Sequence, residues 1–306
     1  MKVVSNISTL IESGEVAISM GNFDGVHLGH QALLTNALNE SKERGFSFGI
    51  ITFVPHPAEI FKGVSNFYIN SFEERRQLLE RLGVKFIVEL PFDEHFGKLG
   101  PKEFLNEYVL KLKGLKKIFL GYNFGLGKDK RGDLKFISEF VGPHNIELYV
   151  EDEFILDGNQ VCSSKIREKI KEGDIPFANS MLNREFYLSG TVVPGAGRGS
   201  RIGIPTMNLE FDHKRLVPGK GVYVTRTEVK GKQNLSLTNI GYNPTFETNE
   251  RIKVETHLLD FDEKHYGEEI RISFVEKIRD EKKFGAATEL IKQINLDILY
   301  TKEKYL

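Results

Sequence analysis

The sequence has no tryptophan, and it has a single cysteine and almost no net charge. The last two shortages each exclude a class of protein. With Cys162 as the only cysteine among 306 residues, neither an intramolecular disulfide nor a thiolate zinc cluster can form. The 42 basic and 43 acidic residues leave a net charge of −1, so no global positive field favours nucleic acid. No apolar run is long enough for a signal peptide or a membrane span. We therefore expect a cytoplasmic protein without a nucleic-acid or membrane partner.

The length and composition are those of a globular chain of two domains. Hydrophobic residues make up 40% and charged residues 28% of the sequence. The first half alternates near-continuous apolar runs with helical patterns, which predicts strands covered on both faces and therefore a Rossmann-like parallel sheet. The expected strands are 16–20, 47–54, 84–90, 116–122 and 145–151, and the expected helices are 30–44, 72–82, 101–113 and 134–141.

The pattern changes after about residue 173. Short strand patterns then follow one another, separated by turn signals such as PGAGRG and YNPT, which indicates a compact antiparallel β-barrel. One helical pattern, 286–300, closes the chain. We place the domains at residues 1–178 and 179–306.

The most informative stretch is G-N-F-D-G-V-H-L-G-H, residues 21–30, at the carboxyl end of the first long strand pattern. Ligands of parallel sheets bind at that edge. The backbone N–H groups and the dipole of a helix N-terminus favour an anion, and histidines there can add charge or hydrogen bonds. Candidate phosphate-binding and catalytic residues are Gly21, Phe23, Asp24, His27, Gly29 and His30.

Two other interpretations of this histidine pair stay open. His27 and His30 could simply cap a surface helix. They could also bind zinc, although no third ligand lies nearby in the sequence and paired helical ligands are usually four residues apart.

Three further segments carry polar groups that could reach the same site. His56 lies between two prolines that fix its loop. Asn123 follows a strand in a glycine-rich, charged loop whose Lys128, Lys130 and Arg131 could face phosphates. At 163–167 a predicted helix begins with two serines, the expected N-caps, and offers a second phosphate site through Ser163, Ser164 and Arg167. A rigid turn, a solvated loop and simple capping are the respective alternatives.

The second half contains a glycine-rich loop followed by P-T-M-N. Its glycines would let backbone N–H groups approach phosphates, although the loop is not a Walker A motif. Thr206 and Asn208 offer the hard oxygen ligands that Mg²⁺ prefers. Glu255, on an alternating strand, could accept a proton from a substrate hydroxyl. An ordinary barrel turn and a solvated strand glutamate are the alternatives. The glycines are Gly195, Gly197, Gly199 and Gly203.

Together, G-N-F-D-G-V-H-L-G-H, T-F-V-P-H-P, G-Y-N-F and S-S-K-I-R resemble the adenylyltransferase module of bacterial bifunctional riboflavin kinase/FAD synthetases. The resemblance implies that ATP and FMN give FAD and pyrophosphate. It implies that His27 and His30 contact ATP phosphates, that the 163–167 helix start binds phosphates, and that Asn123 lies near the reacting groups. Gly125 and Leu126 stand where the family has bulkier residues.

The second half resembles the riboflavin kinase module of the same family, through G-R-G-S-R-I-G-I-P-T-M-N, N-I-G-Y-N-P-T-F, V-E-T-H-L-L-D-F and I-R-D-E-K-K-F. That implies a six-stranded barrel and transfer of the ATP γ-phosphate to the riboflavin 5′-hydroxyl. The resemblance also implies that Thr206 and Asn208 bind Mg²⁺–ATP. It implies that Glu255 is the catalytic base and that Arg279 lies on the flavin side of the site.

We therefore expect an enzyme that makes FMN and then FAD, with ATP as co-substrate and Mg²⁺ as cofactor. The alternatives are a chain with only one competent half, most readily the kinase, and a non-catalytic flavin-binding regulator. The sequence does not define the oligomeric state.

Overall fold

The computed structural model describes residues 1–10, 14–127, 131–195, 197–243, 251–259 and 265–306. The chain forms two compact units, Met1–Ser163 and Ser164–Leu306.

The first unit is built on a parallel sheet. Among its described residues six strands lie in the order β1-β4-β3-β2-β5-β6, and every neighbouring pair is parallel. This confirms the predicted sheet and adds β1, which is too short to show a pattern. The strands are β1 Lys2–Val4, β2 Val16–Met20, β3 Ser47–Val54, β4 Phe86–Pro91, β5 Leu115–Gly121 and β6 Glu147–Glu151, and a hairpin of β7 Ile155–Leu156 and β8 Asn159–Gln160 follows.

The helices of this unit are α1 Leu28–Arg44, α2 Pro57–Lys62, α3 Phe72–Leu82, α4 Pro101–Phe104 and α5 Leu134–Val141. Ser71 and Glu74 form a capping box at the start of α3. The predicted continuous helix 101–113 is wrong, because a π-helical turn over Leu105–Val109 follows α4. Phe104, Leu105 and Val109 are all buried, and their spacing suits either kind of turn, so periodicity could not separate the two.

The second unit is a closed barrel. In the described residues its six strands follow the order β10-β13-β12-β11-β14-β9 and all pair antiparallel. The predicted barrel and terminal helix are confirmed, although the helix ends at Tyr305 rather than residue 300. The elements are α6 Ser163–Glu172, α7 Ile175–Leu182, β9 Tyr187–Val193, α8 Arg198–Arg201, β10 Met207–Glu210, β11 Gly221–Val229, β12 Lys232–Asn243, β13 Arg251–Leu258, β14 Glu269–Arg279 and α9 Ala287–Tyr305.

Hydroxyl groups fill part of the barrel interior. Thr225 Oγ1 lies 2.8 Å from both Ser236 Oγ and Thr238 Oγ1, and Thr238 donates to Thr256 Oγ1 at 2.9 Å. All four side chains are fully buried, so each hydroxyl needs the partners it has. Because Thr256 points inward, its neighbour Glu255 points to the other face of β13.

A glycine in β3 tests the packing of the parallel sheet. A Cβ at Gly49 would lie 2.2 Å from the ring of Phe86, which is completely buried on β4 and cannot withdraw. We expect Gly49→Ala to lower the free energy of unfolding of the first unit by about 1–3 kcal/mol, as overpacking does. Gly142→Ala, where a Cβ meets nothing within 4 Å, is the matched control. Urea denaturation followed by circular dichroism should separate the two variants, and equal midpoints would contradict this packing.

Candidate active sites

The turn between β2 and α1 is strained. Phe23, Gly25 and Val26 all have positive φ, at 50°, 87° and 40°. Such a conformation is uncommon for non-glycine residues and is an outlier for β-branched valine. Backbone strain persists only where the surroundings over-determine it, and it concentrates at functional sites. We call residues 21–27 the histidine turn.

Buried hydrogen bonds hold the histidine turn in place. The carboxylate of Asp24, only 3% exposed, accepts from the backbone N–H groups of Ile69 at 3.1 Å and Asn70 at 3.3 Å. The carbonyl oxygen of Asp24 accepts from Ser163 Oγ at 2.8 Å. Asp24 therefore serves the geometry of the turn, and a direct contact of its carboxylate with phosphate stays a prediction.

His27 and His30 lie together at the start of α1. Their rings stack with centroids 3.6 Å apart, and the ring of Phe23 lies 5.0 Å from that of His30. His27 is the N-cap, and its Nδ1 accepts the backbone N–H of His30 at 3.3 Å. Since Nδ1 accepts, the proton of neutral His27 is on Nε2, which makes that atom a donor suited to an anionic oxygen. The capping that the sequence left as an alternative is thus present, and it fixes the tautomer of His27.

The small residues of the motif allow close packing. A Cβ on Gly29 would lie 3.3 Å from the carbonyl oxygen of Val161 and 3.4 Å from the His27 ring. A Cβ on Gly21 would lie 3.2 Å from the ring of Phe23. Both glycines therefore serve the fit of the chain to itself, a reason that the motif alone did not reveal.

His56 is held much as His27 is held. It is the N-cap of α2, and its Nδ1 accepts the N–H of Ala58 at 3.0 Å, which again leaves the ring proton on Nε2. Its own N–H donates to Tyr68 Oη at 3.1 Å, and that hydroxyl donates to Glu59 at 2.5 Å. Burial raises the pKa of Tyr68, and the hydrogen bond to Glu59 adds to the shift, so the hydroxyl keeps its proton.

The loop after β5 carries Asn123 at the carboxyl edge of the same sheet. Asn123 is exposed and is the second residue after β5. Leu126 is 5% exposed and packs in the core with Phe104 and Ile137, so its departure from the family pattern lies in the core. Arg131 is exposed, while Lys128 and Lys130 lie outside the described residues.

Helix α6 begins at Ser163, so Ser163 and Ser164 are its first two residues and the predicted N-cap is displaced by one position or more. Ser163 Oγ donates to the carbonyl oxygen of Asp24. Ser164 is exposed and Arg167 half-buried on the following turn, both in the second unit. Their role towards phosphate stays a prediction.

The pairing of the barrel strands brings candidate residues of the kinase half side by side. Glu255 lies opposite Asn208 of β10 on one side and Asn239 of β12 on the other. Directly paired residues share a face with Cβ atoms about 4.5–5.5 Å apart, so two amides flank the carboxylate. Sequence reasoning missed Asn239, which lay in the quoted N-I-G-Y-N-P-T-F motif.

A contact from His257 on β13 fixes the segment that carries Thr206. His257 Nδ1 lies 2.7 Å from the carbonyl oxygen of Pro205, immediately before Thr206. A Cβ on Gly195 would lie 2.1 Å from Asn208 Nδ2, and one on Gly199 would lie 2.3 Å from the carbonyl oxygen of Ile204. The glycine-rich loop therefore passes directly over Asn208. The other two glycines, Gly197 and Gly203, have φ values of 68° and 77°.

Arg279 on β14 donates hydrogen bonds to a carboxylate on the terminal helix, α9. Its Nε and Nη2 donate to Asp297 Oδ2 at 3.0 and 2.8 Å, and Asp297 is only 3% exposed. Gln293 donates to the other carboxylate oxygen at 2.9 Å. The side chain assigned to the flavin by resemblance thus also fastens α9 to β14, and Asp297 is a second residue that the sequence analysis missed.

Two further features are absent from the described ranges. No group of three or more histidine, cysteine, aspartate or glutamate residues there could hold a metal ion. No helix there is both long and apolar enough to cross a membrane.

Comparison with known proteins assigns both halves. The FAD synthetase family profile matches residues 11–165, and the riboflavin kinase profile matches residues 182–305. The bifunctional riboflavin kinase/FMN adenylyltransferase of Bacillus subtilis (strain 168) is 32% identical over 294 residues, which are 94% of this chain and 91% of that protein. The enzyme of the same name from Escherichia coli (strain K12) is 30% identical over 307 residues, 99% and 97% of the two chains.

A solved structure has the same fold over the whole length. It is a Streptococcus pneumoniae protein described as a macrolide-efflux protein, and it superposes with a TM-score of 0.89 at 26% identity over 98% of each chain. A parallel α/β unit and a closed barrel that match two transferase families define a bifunctional transferase. The chain belongs to the bifunctional riboflavin kinase/FMN adenylyltransferase family.

The pair of Arg279 and Asp297 can be tested by a double-mutant cycle. Removing either partner leaves a poorly exposed charge without its partner, so we expect Arg279→Ala and Asp297→Ala each to destabilise the barrel by about 3–5 kcal/mol. The double variant should lose much less than the sum, because it leaves neither charge unpaired. Thermal unfolding followed by circular dichroism gives the four values. Additive losses would show that the two groups do not depend on each other.

Proposed function

We propose that this chain converts riboflavin to FMN in its barrel and FMN to FAD in its α/β unit, using ATP in both steps. We assign residues 1–178 to the adenylyltransferase half and 179–306 to the kinase half. The observation that carries the residue assignment is the strained histidine turn, which places His27 and His30 in stacked contact at the N-terminus of α1.

The adenylyltransferase reaction depends on binding charge rather than on covalent chemistry. An oxygen of the FMN phosphate attacks the α-phosphorus of ATP, the bond from that phosphorus to the bridging oxygen breaks, and pyrophosphate leaves. The α1 N–H groups and the Nε2–H of His27 offer donors to the phosphate oxygens as charge develops. His30 and His56 add ring donors. We assign Asn123 to the flavin and the reacting groups, and Ser163, Ser164 and Arg167 to phosphate binding.

The kinase reaction needs a base for a hydroxyl. Glu255 accepts the proton of the riboflavin 5′-hydroxyl as that oxygen attacks the γ-phosphorus of ATP, and ADP leaves. Asn208 and Asn239 flank the carboxylate from the adjacent strands and can orient it. We assign the glycine-rich loop, with Gly195, Gly197, Gly199 and Gly203, to the ATP phosphates, and Arg279 to the flavin side of this site.

Mg²⁺ fits the oxygen donors next to this loop. A hydroxyl from Thr206 and an amide oxygen from Asn208 are ligands that Mg²⁺ accepts alongside water and phosphate. The fixed Pro205 carbonyl and the closeness of Gly195 to Asn208 hold both donors beside the loop. We therefore propose that these two residues hold the ion, which when bound neutralises phosphate charge.

Replacing the proposed base separates the two activities. Glu255→Gln keeps the size of the side chain but cannot accept the proton, so FMN formation should fall by about 10²–10⁴-fold. Conversion of supplied FMN to FAD should remain. A chromatographic time course with riboflavin, ATP and Mg²⁺ measures both products, and wild-type protein should give FMN before FAD. Loss of both activities in a folded variant would contradict the two-site assignment.

The converse experiment changes a residue of the α/β unit and tests the adenylyltransferase activity. His30→Ala removes one ring beside the phosphate site, and we expect FAD formation from FMN and ATP to fall by about 10²-fold or more, as for loss of one charge-stabilising donor. Riboflavin kinase activity should be unchanged. Pyrophosphate release with FMN and ATP measures the first effect, and an unaltered rate would remove His30 from the site. His144→Ala, which changes a histidine in the turn after α5, is the control.

A further inference from the structure

Arg75 on α3 is a buried cation that contacts the histidine turn. Its side chain is only 4% exposed, and its Nη1 donates to the carbonyl oxygen of Asn22 at 2.7 Å. Asn22 directly precedes the residues of positive φ. Neither the sequence motifs nor the family resemblance singled out this arginine.

Two further groups face the guanidinium of Arg75. Its guanidinium lies 4.9 Å from the centre of the Phe72 ring, and its Nη2 lies 3.8 Å from Glu89 Oε1. Glu89 is bound more closely by the neighbouring Arg76, at 2.9 and 2.5 Å. Arg76 therefore binds Glu89 more closely than Arg75 does, and the hydrogen bond of Arg75 goes to the histidine turn.

The histidine turn is held from two positions of one segment. Ile69 and Asn70, just before α3, bind the carboxylate of Asp24, and Arg75 binds the carbonyl of Asn22 from the second turn of that helix. The capping box at Ser71 fixes the start of the helix between them. These contacts bracket Phe23, so the segment 69–75 holds the strained backbone that leads to His27.

We propose that Arg75 is a positioning residue for adenylyl transfer, which holds the Asn22 carbonyl so that the histidine turn presents His27 and His30 in reactive geometry. This inference rests on the transferase function proposed above. Arg75 acts through the backbone of the turn and touches no substrate. Its loss therefore affects the rate at saturating substrate more than the KM for FMN, since a displacement of about 1 Å can cost about 10²-fold in rate.

Arg76 provides a matched control on the same helix. Arg75→Met and Arg76→Met each remove one guanidinium from Glu89, but only the first removes the hydrogen bond to Asn22. We expect kcat for FAD formation to fall by about 10- to 100-fold in Arg75→Met, with the KM for FMN nearly unchanged, and to stay within about twofold in Arg76→Met. Rates are measured well below the melting temperature of each variant, and riboflavin kinase activity of the same sample calibrates the concentration of enzyme.

Arg75→Lys keeps a charge and one donor, and it also guards against a methionine variant that does not fold. We expect lysine to recover part of the lost kcat. Equal kcat losses in Arg75→Met and Arg76→Met would overturn the inference, because the loss would then come from Glu89. A folded Arg75→Met with wild-type kcat, or an Arg75→Lys variant no better than methionine, would overturn it too. Wild-type protein that makes no FAD would instead show that the proposed transferase function fails, and the inference would fall with it.

Discussion

The transferase half depends on one constraint, the backbone strain in the turn between β2 and α1. Positive φ at Phe23 and Val26 costs of order 1–3 kcal/mol for each residue, and it persists only because neighbouring groups fix the chain. The fixing groups come from separate parts of the sequence, namely the amides of Ile69 and Asn70, the hydroxyl of Ser163 and the guanidinium of Arg75. The position of the two histidines is therefore a property of the whole α/β unit and not of the motif alone.

Helix capping and the proposed phosphate contact use opposite nitrogens of the same histidine rings in this unit. His27 and His56 each accept a backbone N–H through Nδ1 at the start of a helix. Because Nδ1 accepts this hydrogen bond, the neutral ring carries its proton on Nε2. Each ring then offers a directed hydrogen-bond donor without the desolvation cost of a full positive charge. Capping thus orients each ring in the way that the proposed phosphate contact requires.

The sequence predicted the parallel sheet, the barrel and the family, because hydrophobic periodicity and short motifs are local. It did not predict the π-helical turn after α4, since the buried residues there fit both kinds of turn. It did not predict the roles of Arg75 and Asp297, because each depends on a partner that is distant in the sequence. The fold brings Arg75 to the carbonyl of Asn22 and Asp297 to Arg279. The sequence also did not reveal that the carboxylate of Asp24 accepts hydrogen bonds from the backbone amides of Ile69 and Asn70, which are distant in the sequence. The roles of individual site residues are still predictions.

The barrel positions Glu255 by a different means from the one by which the α/β unit positions its histidines. Its interior hydroxyls are paired with one another, which fixes which face of β13 points inward. A slip of one residue would expose Thr256 and bury Glu255, and an unpaired buried carboxylate is costly. The register that satisfies the hydroxyls therefore also places Glu255 between Asn208 and Asn239. One half of the chain thus positions its chemistry through a strained turn held from several places, and the other through strand register.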